Sequence, residues 1–334
     1  MIFYYLTNPI SADENIKYYS KDEGILSIMY HRFNESKYPS TNIQMNIFKE
    51  QMNLIKNSDL LFYDPKNLVT NFDKPKKQKQ ILITIDDAFK SFYTEAWPYL
   101  KKNQIPFILF VSTEPVGKRG YMTWDQILEV EGSEFAMIGH HSHTHDYLID
   151  KTNQEFISDI EKANTIFEDK IGYNPTLFSY PFGEYSKFMK DYISNNFKLS
   201  FGQHSGVIDI NKDKFELPRF PINEHYGEIN RFKSIIKTFP LEYKKLTPEE
   251  KKINDQNNPP NFKVEFFSEQ ENIENINCYS NEKGNWEKSK TKIHKNKLII
   301  NFRGAFLPRR GRINCSLNDN GKWRWFGTQF IVKN

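Results

Sequence analysis

The stretch Gly139-His140-His141-Ser142-His143-Thr144-His145 holds four of the chain's eight histidines. So dense a cluster points to metal chemistry rather than to four separate structural roles. His141 and His145 are four residues apart, so one helical turn would place both imidazoles on one face, able to share a cation. On that geometry His140 turns into packing and His143 towards solvent. Upstream, the carboxylates Asp86-Asp87 end the apolar run Ile81-Leu82-Ile83-Thr84-Ile85. Inside a strand, adjacent aspartates would bury one carboxylate on each apolar face, so the pair belongs at the strand's C-terminal end. Alone, Asp-Asp reads equally as a turn or a helix cap. Beside the histidines it completes a His-His-carboxylate set for a hydrolytic metal that polarises a carbonyl and activates water. The second carboxylate is then the general base that such a water needs.

The elements that must position these groups follow from the hydrophobic pattern. Buried strands are expected at Ile25–Tyr30, Ile81–Ile85, Phe107–Val111, Phe135–Ile138, Leu177–Tyr180 and Lys198–Phe201. Between them, helical spacing predicts helices over Ile43–Ile55, Phe89–Lys101 (with Pro98 as a flaw), Met122–Val130, Gln154–Ile171 and Phe182–Ser194. Such alternation implies a parallel sheet, closed or nearly closed into a barrel, with its chemistry at the C-terminal strand ends. Those ends carry His31, Asp86-Asp87, His141, Pro181-Phe182-Gly183 and His204.

At 334 residues the chain has room for one large domain and a small one. The sequence divides into an N-terminal segment (1–20), a barrel (21–245), a polar proline-containing linker (246–261) and a small all-β sandwich (262–334). The net charge of +4 is spread out, giving no nucleic-acid footprint of the clustered kind. No apolar run approaches the roughly 18 residues of a transmembrane span. Met1–Ala12 looks like the tail of a secretory signal, or else a plain N-terminal strand, and the expectation is an exported protein. Cys278 and Cys315, both in the β-rich tail, are compatible with a disulfide or with two buried thiols. Trp286, Trp323 and Trp325 lie there too, able to stack on sugars but favoured as core packing.

Thr84-Ile85-Asp86-Asp87, His141-Ser142-His143-Thr144-His145 and Tyr180-Pro181-Phe182-Gly183 resemble, in order and spacing, the successive motifs of the polysaccharide deacetylase family, the NodB-homology carbohydrate esterases. The resemblance runs from about Gly24 to Leu241 and does not reach the tail. It implies a distorted (β/α) barrel that removes N-acetyl groups from amino-sugar polysaccharides. It also implies Asp86 as general base, Asp87, His141 and His145 as ligands of Zn²⁺ (or Co²⁺ or Ni²⁺), and Tyr180, Pro181, Phe182 and Gly183 as substrate-binding groove residues. Two departures stand out. Ser179 occupies the place where the family usually has an arginine, and no C-terminal leucine-x-histidine motif supplies an acid. Both are similar to the subgroup acting on poly-β-1,6-N-acetylglucosamine, as are Tyr30-His31 and Leu217-Pro218-Arg219-Phe220-Pro221. Arg219 is therefore expected either to replace the missing arginine beside Asp86 or to be a surface arginine at a strand end. His31 is expected to be the general acid, with His204 second. Peptidoglycan, chitin-like or lipopolysaccharide sugars remain open as substrates, and a non-catalytic glycan-binding relative is the competing reading.

Overall fold

The computed structural model describes residues 24–74, 78–267 and 272–333; the expected signal-like segment lies outside them. Its larger sheet starts with β1 (Ile25–Tyr30) and β2 (Gln80–Asp86), both buried on both faces. β3 (Phe107–Val111), β4 (Ala136–His140), β5 (Leu177–Ser179) and β6 (Leu199–Phe201) follow. Neighbours from β1 through β6 pair in parallel, and β7 (Val207–Ile208) adds antiparallel to β1. Apolar residues on both faces suit a parallel sheet covered by helices.

The covering helices are α1 (Met45–Lys56), α2 (Trp97–Asn103), α3 (Trp124–Glu131), α4 (Asn153–Ile171) and α5 (Lys187–Asn196). Thr123 and Thr152 start α3 and α4 with reciprocal capping boxes to Gln126 and Glu155, fixing where each helix begins. Pro98 sits within the first two positions of α2, where its missing N–H is harmless, so the helix starts there instead of at Phe89. The preceding turn, Phe92–Ala96, is a π-helix.

The sheet curls into a distorted barrel. Its two edges are joined by one segment: Leu217 bridges to Phe201 of β6, while β8 (Phe220–Pro221) pairs with β1. Arg219 lies between these two attachments and is fully buried.

The tail forms two further sheets. One contains β9 (Lys245–Thr247), β11 (Lys263–Glu265), β14 (Lys297–Asn301) and β13 (Lys290–His294), in that order. The other is built on the hairpin of β15 (Arg310–Asp319) and β16 (Lys322–Val332), with β12 (Asn277–Ser280) beside β15. Their inner faces share a core that includes Val264, Leu298, Ile300, Ile313, Leu317, Phe326 and Phe330. Cys278 and Cys315 face each other across β12 and β15 and are joined by a disulfide.

Residues 246–261 are not a free linker. Leu246 pairs within β9, β10 (Lys252–Ile253) pairs with β16, and Leu246, Ile253 and Phe262 enter the shared core. Polar composition misled there because alternate residues are buried while their neighbours stay in water. No helix among the described residues is long and apolar enough to cross a membrane.

Candidate active site

Asp86 is the last residue of β2, and its carboxylate is fully buried. Asp87 and Ala88 leave the strand with φ of 75° and 50°. Two successive non-glycine residues in the left-handed region are costly and persist only where the surroundings hold them. The result is that Asp87 turns beside Asp86 towards the mouth of the barrel.

The histidine segment does not form the expected helical turn. Residues 141–147 form a loop, with φ of 71° at Ser142 and 56° at His145. Its shape comes from polar clamps. The Asp159 carboxylate accepts from the backbone N–H of His143 (2.8 Å) and Thr144 (3.0 Å) and from the Thr144 hydroxyl (2.7 Å). Ser142 Oγ accepts from the His145 N–H at 3.1 Å. The two imidazoles still converge, with ring centroids 4.8 Å apart. His140 packs among Phe167, Phe178 and Phe197 as expected. His143 is buried rather than solvent-facing, with Nδ1 2.7 Å from Thr113 Oγ1.

One contact orients His141. Its Nδ1 lies 2.7 Å from the Ser179 carbonyl, an acceptor, so Nδ1 carries the proton and Nε2 presents a lone pair. Nε2 of His141 and Nε2 of His145 lie 3.4 and 2.9 Å from Asp87 Oδ1. Asp87 Oδ1 and His141 Nε2 are nevertheless buried without a hydrogen-bond partner. One donor atom from each of Asp87, His141 and His145 falls within 4.8 Å of the others. Unpaired buried acceptors grouped this tightly fit a divalent cation, and the N₂O set is one that zinc takes.

Arg219 fills the space beside Asp86. Its Nη1 and Nη2 donate to Asp86 Oδ1 and Oδ2 at 2.7 and 2.8 Å. The other N–H groups reach Thr84 Oγ1 (3.2 Å), Ser179 Oγ (2.8 Å) and the Gly202 carbonyl (2.9 Å). All five guanidinium donors are therefore used. Burial alone would raise Asp86, but Arg219, with His141, takes its carboxyl below the ordinary value. A serine at 179 leaves room for a guanidinium entering from residues 217–221, the segment that adjoins β6 beside it.

A cavity of about 600 Å³ opens over these groups. It is lined by Asp87, His145, His31, His204 and Phe182, among others. The histidines at its wall differ in surroundings. Burial lowers His31, with Asp87 and Asp86 opposing the shift and Arg219 and His141 adding to it; burial lowers His204 to about 4, and Glu216 is the main charge opposing this.

Of the groove motif, only Phe182 lines the cavity. It stacks on Tyr147 at 4.2 Å and meets His145 edge-on at 4.7 Å. Tyr180 does not reach the cavity: it is fully buried against Phe178 and Tyr185, with its hydroxyl donating to the Phe215 carbonyl at 3.1 Å. Pro181 and Gly183 are buried as well and act through the backbone. Gly183, at φ 68°, lets the Gln203 backbone approach so closely that a Cβ would meet its nitrogen at 2.5 Å.

Residues 73–197 match the family model for polysaccharide deacetylase. The chain carries a polysaccharide deacetylase domain of the NodB type. The domain is similar to the poly-β-1,6-N-acetyl-D-glucosamine N-deacetylase of Staphylococcus aureus, at 23% identity over 242 residues, covering 64% of this chain and 83% of that one. It is also 26% identical over 164 residues to YxkH of Bacillus subtilis, named for the same family, covering 48% of this chain and 57% of that protein. Among solved structures, the fold is similar to IcaB from Ammonifex degensii (TM-score 0.57, 22% identity, 65% of this chain and 98% of that one). The deacetylase PplD of Streptococcus pyogenes is also similar (TM-score 0.58, 19% identity, 64% and 99%).

Several residues that hold or line the candidate site were not named for it from the sequence. Asp159 had a visible signal: it interrupts the apolar face Phe156, Ile160, Ala163, Phe167 of α4 with a carboxylate. Arg310, Arg312, Asn314 and Thr328 line the cavity from the C-terminal sheets, beside Trp286 and Trp325, which the sequence offered as sugar-stacking residues while favouring core packing. Trp286 and Trp323 are 42% and 47% exposed, so core packing does not describe them.

Proposed function

We propose that this protein is an exported, metal-dependent N-deacetylase of N-acetylglucosamine residues in an extracellular or envelope polysaccharide. The observation that carries the reading is the convergence of Asp87, His141 and His145 beside a carboxylate held by Arg219, at the floor of an open cavity. A divalent cation on the three ligands, Zn²⁺ or alternatively Co²⁺ or Ni²⁺, would polarise the acetyl carbonyl and acidify the attacking water. Asp86, kept ionised and fixed in orientation, takes the proton of that water. Asp159, Ser142 and the Ser179 carbonyl hold the histidine loop in place, so little rearrangement is needed on binding.

Amide cleavage also needs a proton delivered to the departing nitrogen. His31 fills this role in our reading, because it borders the cavity on the side of Asp86 and Asp87. His204 faces the Glu216 group instead and lies under Gly202, where a Cβ would meet its Nδ1 at 2.7 Å. Export is consistent with the joined Cys278–Cys315 pair, since disulfides persist in oxidising compartments.

The test is to incubate the zinc-loaded protein with poly-β-1,6-N-acetylglucosamine, peptidoglycan and chitin oligomers, measuring free acetate and new amines. Release from none of the three, with stoichiometric metal bound, would overturn the reading.

A further inference from the structure

The cavity wall contributed by the C-terminal sheets is unlike the catalytic floor. Across the whole lining there are three arginines, Arg231, Arg310 and Arg312, and one carboxylate, Asp87, already committed to the ligand cluster. Arg310 is neutralised by Glu184, 2.7 Å from its Nε, and Glu184 is shared with Arg309. Arg309 in turn also pairs with Asp150 at 2.7 Å. Arg231 and Arg312 have no carboxylate within ion-pair distance among the described residues. Arg231 donates only to the Tyr226 carbonyl and rests 5.0 Å from the Tyr226 ring.

Both guanidiniums are half-buried, and burial disfavours their charge. Arg310 disfavours the Arg312 charge further, and against this stand only Tyr226 and Glu184, the latter already serving two arginines. A half-buried cation without a partner is costly unless an anion arrives. The wall thus offers positive charge that no carboxylate of the lining answers.

We propose that Arg312 and Arg231 form an anion subsite that selects polysaccharides bearing an acidic sugar or acidic substituent next to the N-acetylated residue. The inference rests on the deacetylase reading and narrows its substrate class. Guanidinium groups match the planar, two-oxygen geometry of a carboxylate or phosphate. Trp286, exposed at the rim, supplies a flat face for the neighbouring ring. A neutral polymer would leave both charges unanswered.

The experiment compares two β-1,4-linked tetrasaccharides that differ in one group: an N-acetylglucosamine tetramer, and the same tetramer with one terminal C6 oxidised to a carboxylate. Binding to the zinc-loaded full chain is measured by calorimetry, and acetate release is followed in parallel. The acidic tetramer should bind about 10- to 100-fold tighter, as one charge-assisted contact implies. That advantage should shrink as salt is raised. Arg312→Gln should bring the affinity ratio close to one, Arg312→Lys should keep part of it, and Arg231→Gln provides a second, independent variant. Equal affinities in the wild type, no measurable binding of the acidic tetramer, or an unchanged ratio in both glutamine variants overturns the subsite. Acetate release from neither tetramer speaks against the deacetylase reading and leaves the affinity ratio as a separate result.

Discussion

Arg219→Met tests the arrangement at the base most directly. Arg219 uses all five N–H donors, two of them on Asp86, and both side chains are fully buried. Methionine retains much of the volume but leaves the Asp86 carboxylate with one weak contact, the Ser179 hydroxyl at 3.4 Å. Breaking a buried pair from one side costs about 3–5 kcal/mol. In the native protein Arg219 holds Asp86 below its ordinary value, so its contribution to stability is present above the unfolded carboxylate pKa and lost as pH falls through the folded one. Without Arg219 the sign reverses, because burial then raises Asp86 above its unfolded value. The deficit should therefore be full near neutral pH and shrink as pH is lowered towards about 4. Urea denaturation of chelator-treated protein at several pH values measures this without any contribution from bound metal. The double variant Asp86→Asn/Arg219→Met should recover part of the loss, since the buried charge is gone. In the loaded enzyme, kcat should fall with metal content intact, and the acidic limb of the pH profile should move up. A deficit below about 1 kcal/mol at neutral pH, or one independent of pH, would refute the reasoning.

Three further outcomes are expected. Alanine at Asp87, His141 or His145 should each abolish stoichiometric metal by elemental analysis, whereas Asp86→Asn should retain metal and lose deacetylation; full metal in the His141→Ala/His145→Ala pair would reject the ligand set. His31→Ala should keep metal, lose most of kcat and lose the alkaline limb of the pH profile, while His204→Ala should change kcat less; the reverse pattern would exchange their roles. Cys278→Ser/Cys315→Ser should lower stability by about 4 kcal/mol, the loop-closure value for a sequence separation of 37, and two free thiols in the denatured, unreduced native protein would exclude the bond.

Much of the site was legible because strand ends are. A five-residue apolar run ending in two carboxylates has few places to go, and of the strand-end residues named from the pattern His31, Asp87, Phe182 and His204 line one cavity, with Asp86 and His141 buried beside Asp87. The histidine loop shows where this reasoning fails. A four-residue spacing suggests a helical turn, yet here the convergence is produced by left-handed residues and by the Asp159 clamp. Spacing was compatible with two geometries, and only a carboxylate on a helix 14 residues beyond His145 decides between them. Arg219 was legible as a candidate, but not its environment. That depended on the barrel being closed by one short segment held at Leu217 and Phe220.

Of the cavity's far wall only the tryptophans were named from the sequence, and the reason is physical. Arg310, Arg312 and Asn314 alternate along β15 with Gly311 and Ile313, so their side chains leave the inner core face for the other side of the sheet. Sequence shows that alternation but not what the outward face meets. The structure answers this through the contacts around the Pro181–Gly183 turn. Glu184 is held by both Arg309 and Arg310, Gln329 Nε2 donates to the Gly183 carbonyl, and Gly206 bridges to Phe326. Phe182, at φ 58°, thus sits in a strained turn held from the C-terminal sheets as well as from the barrel. Those sheets thereby complete the mouth of the barrel. Their outward-facing arginines and tryptophans share one cavity with Asp87, so on the proposed function they meet the same polysaccharide segment, which a tethered binding module at the end of a free linker would not do.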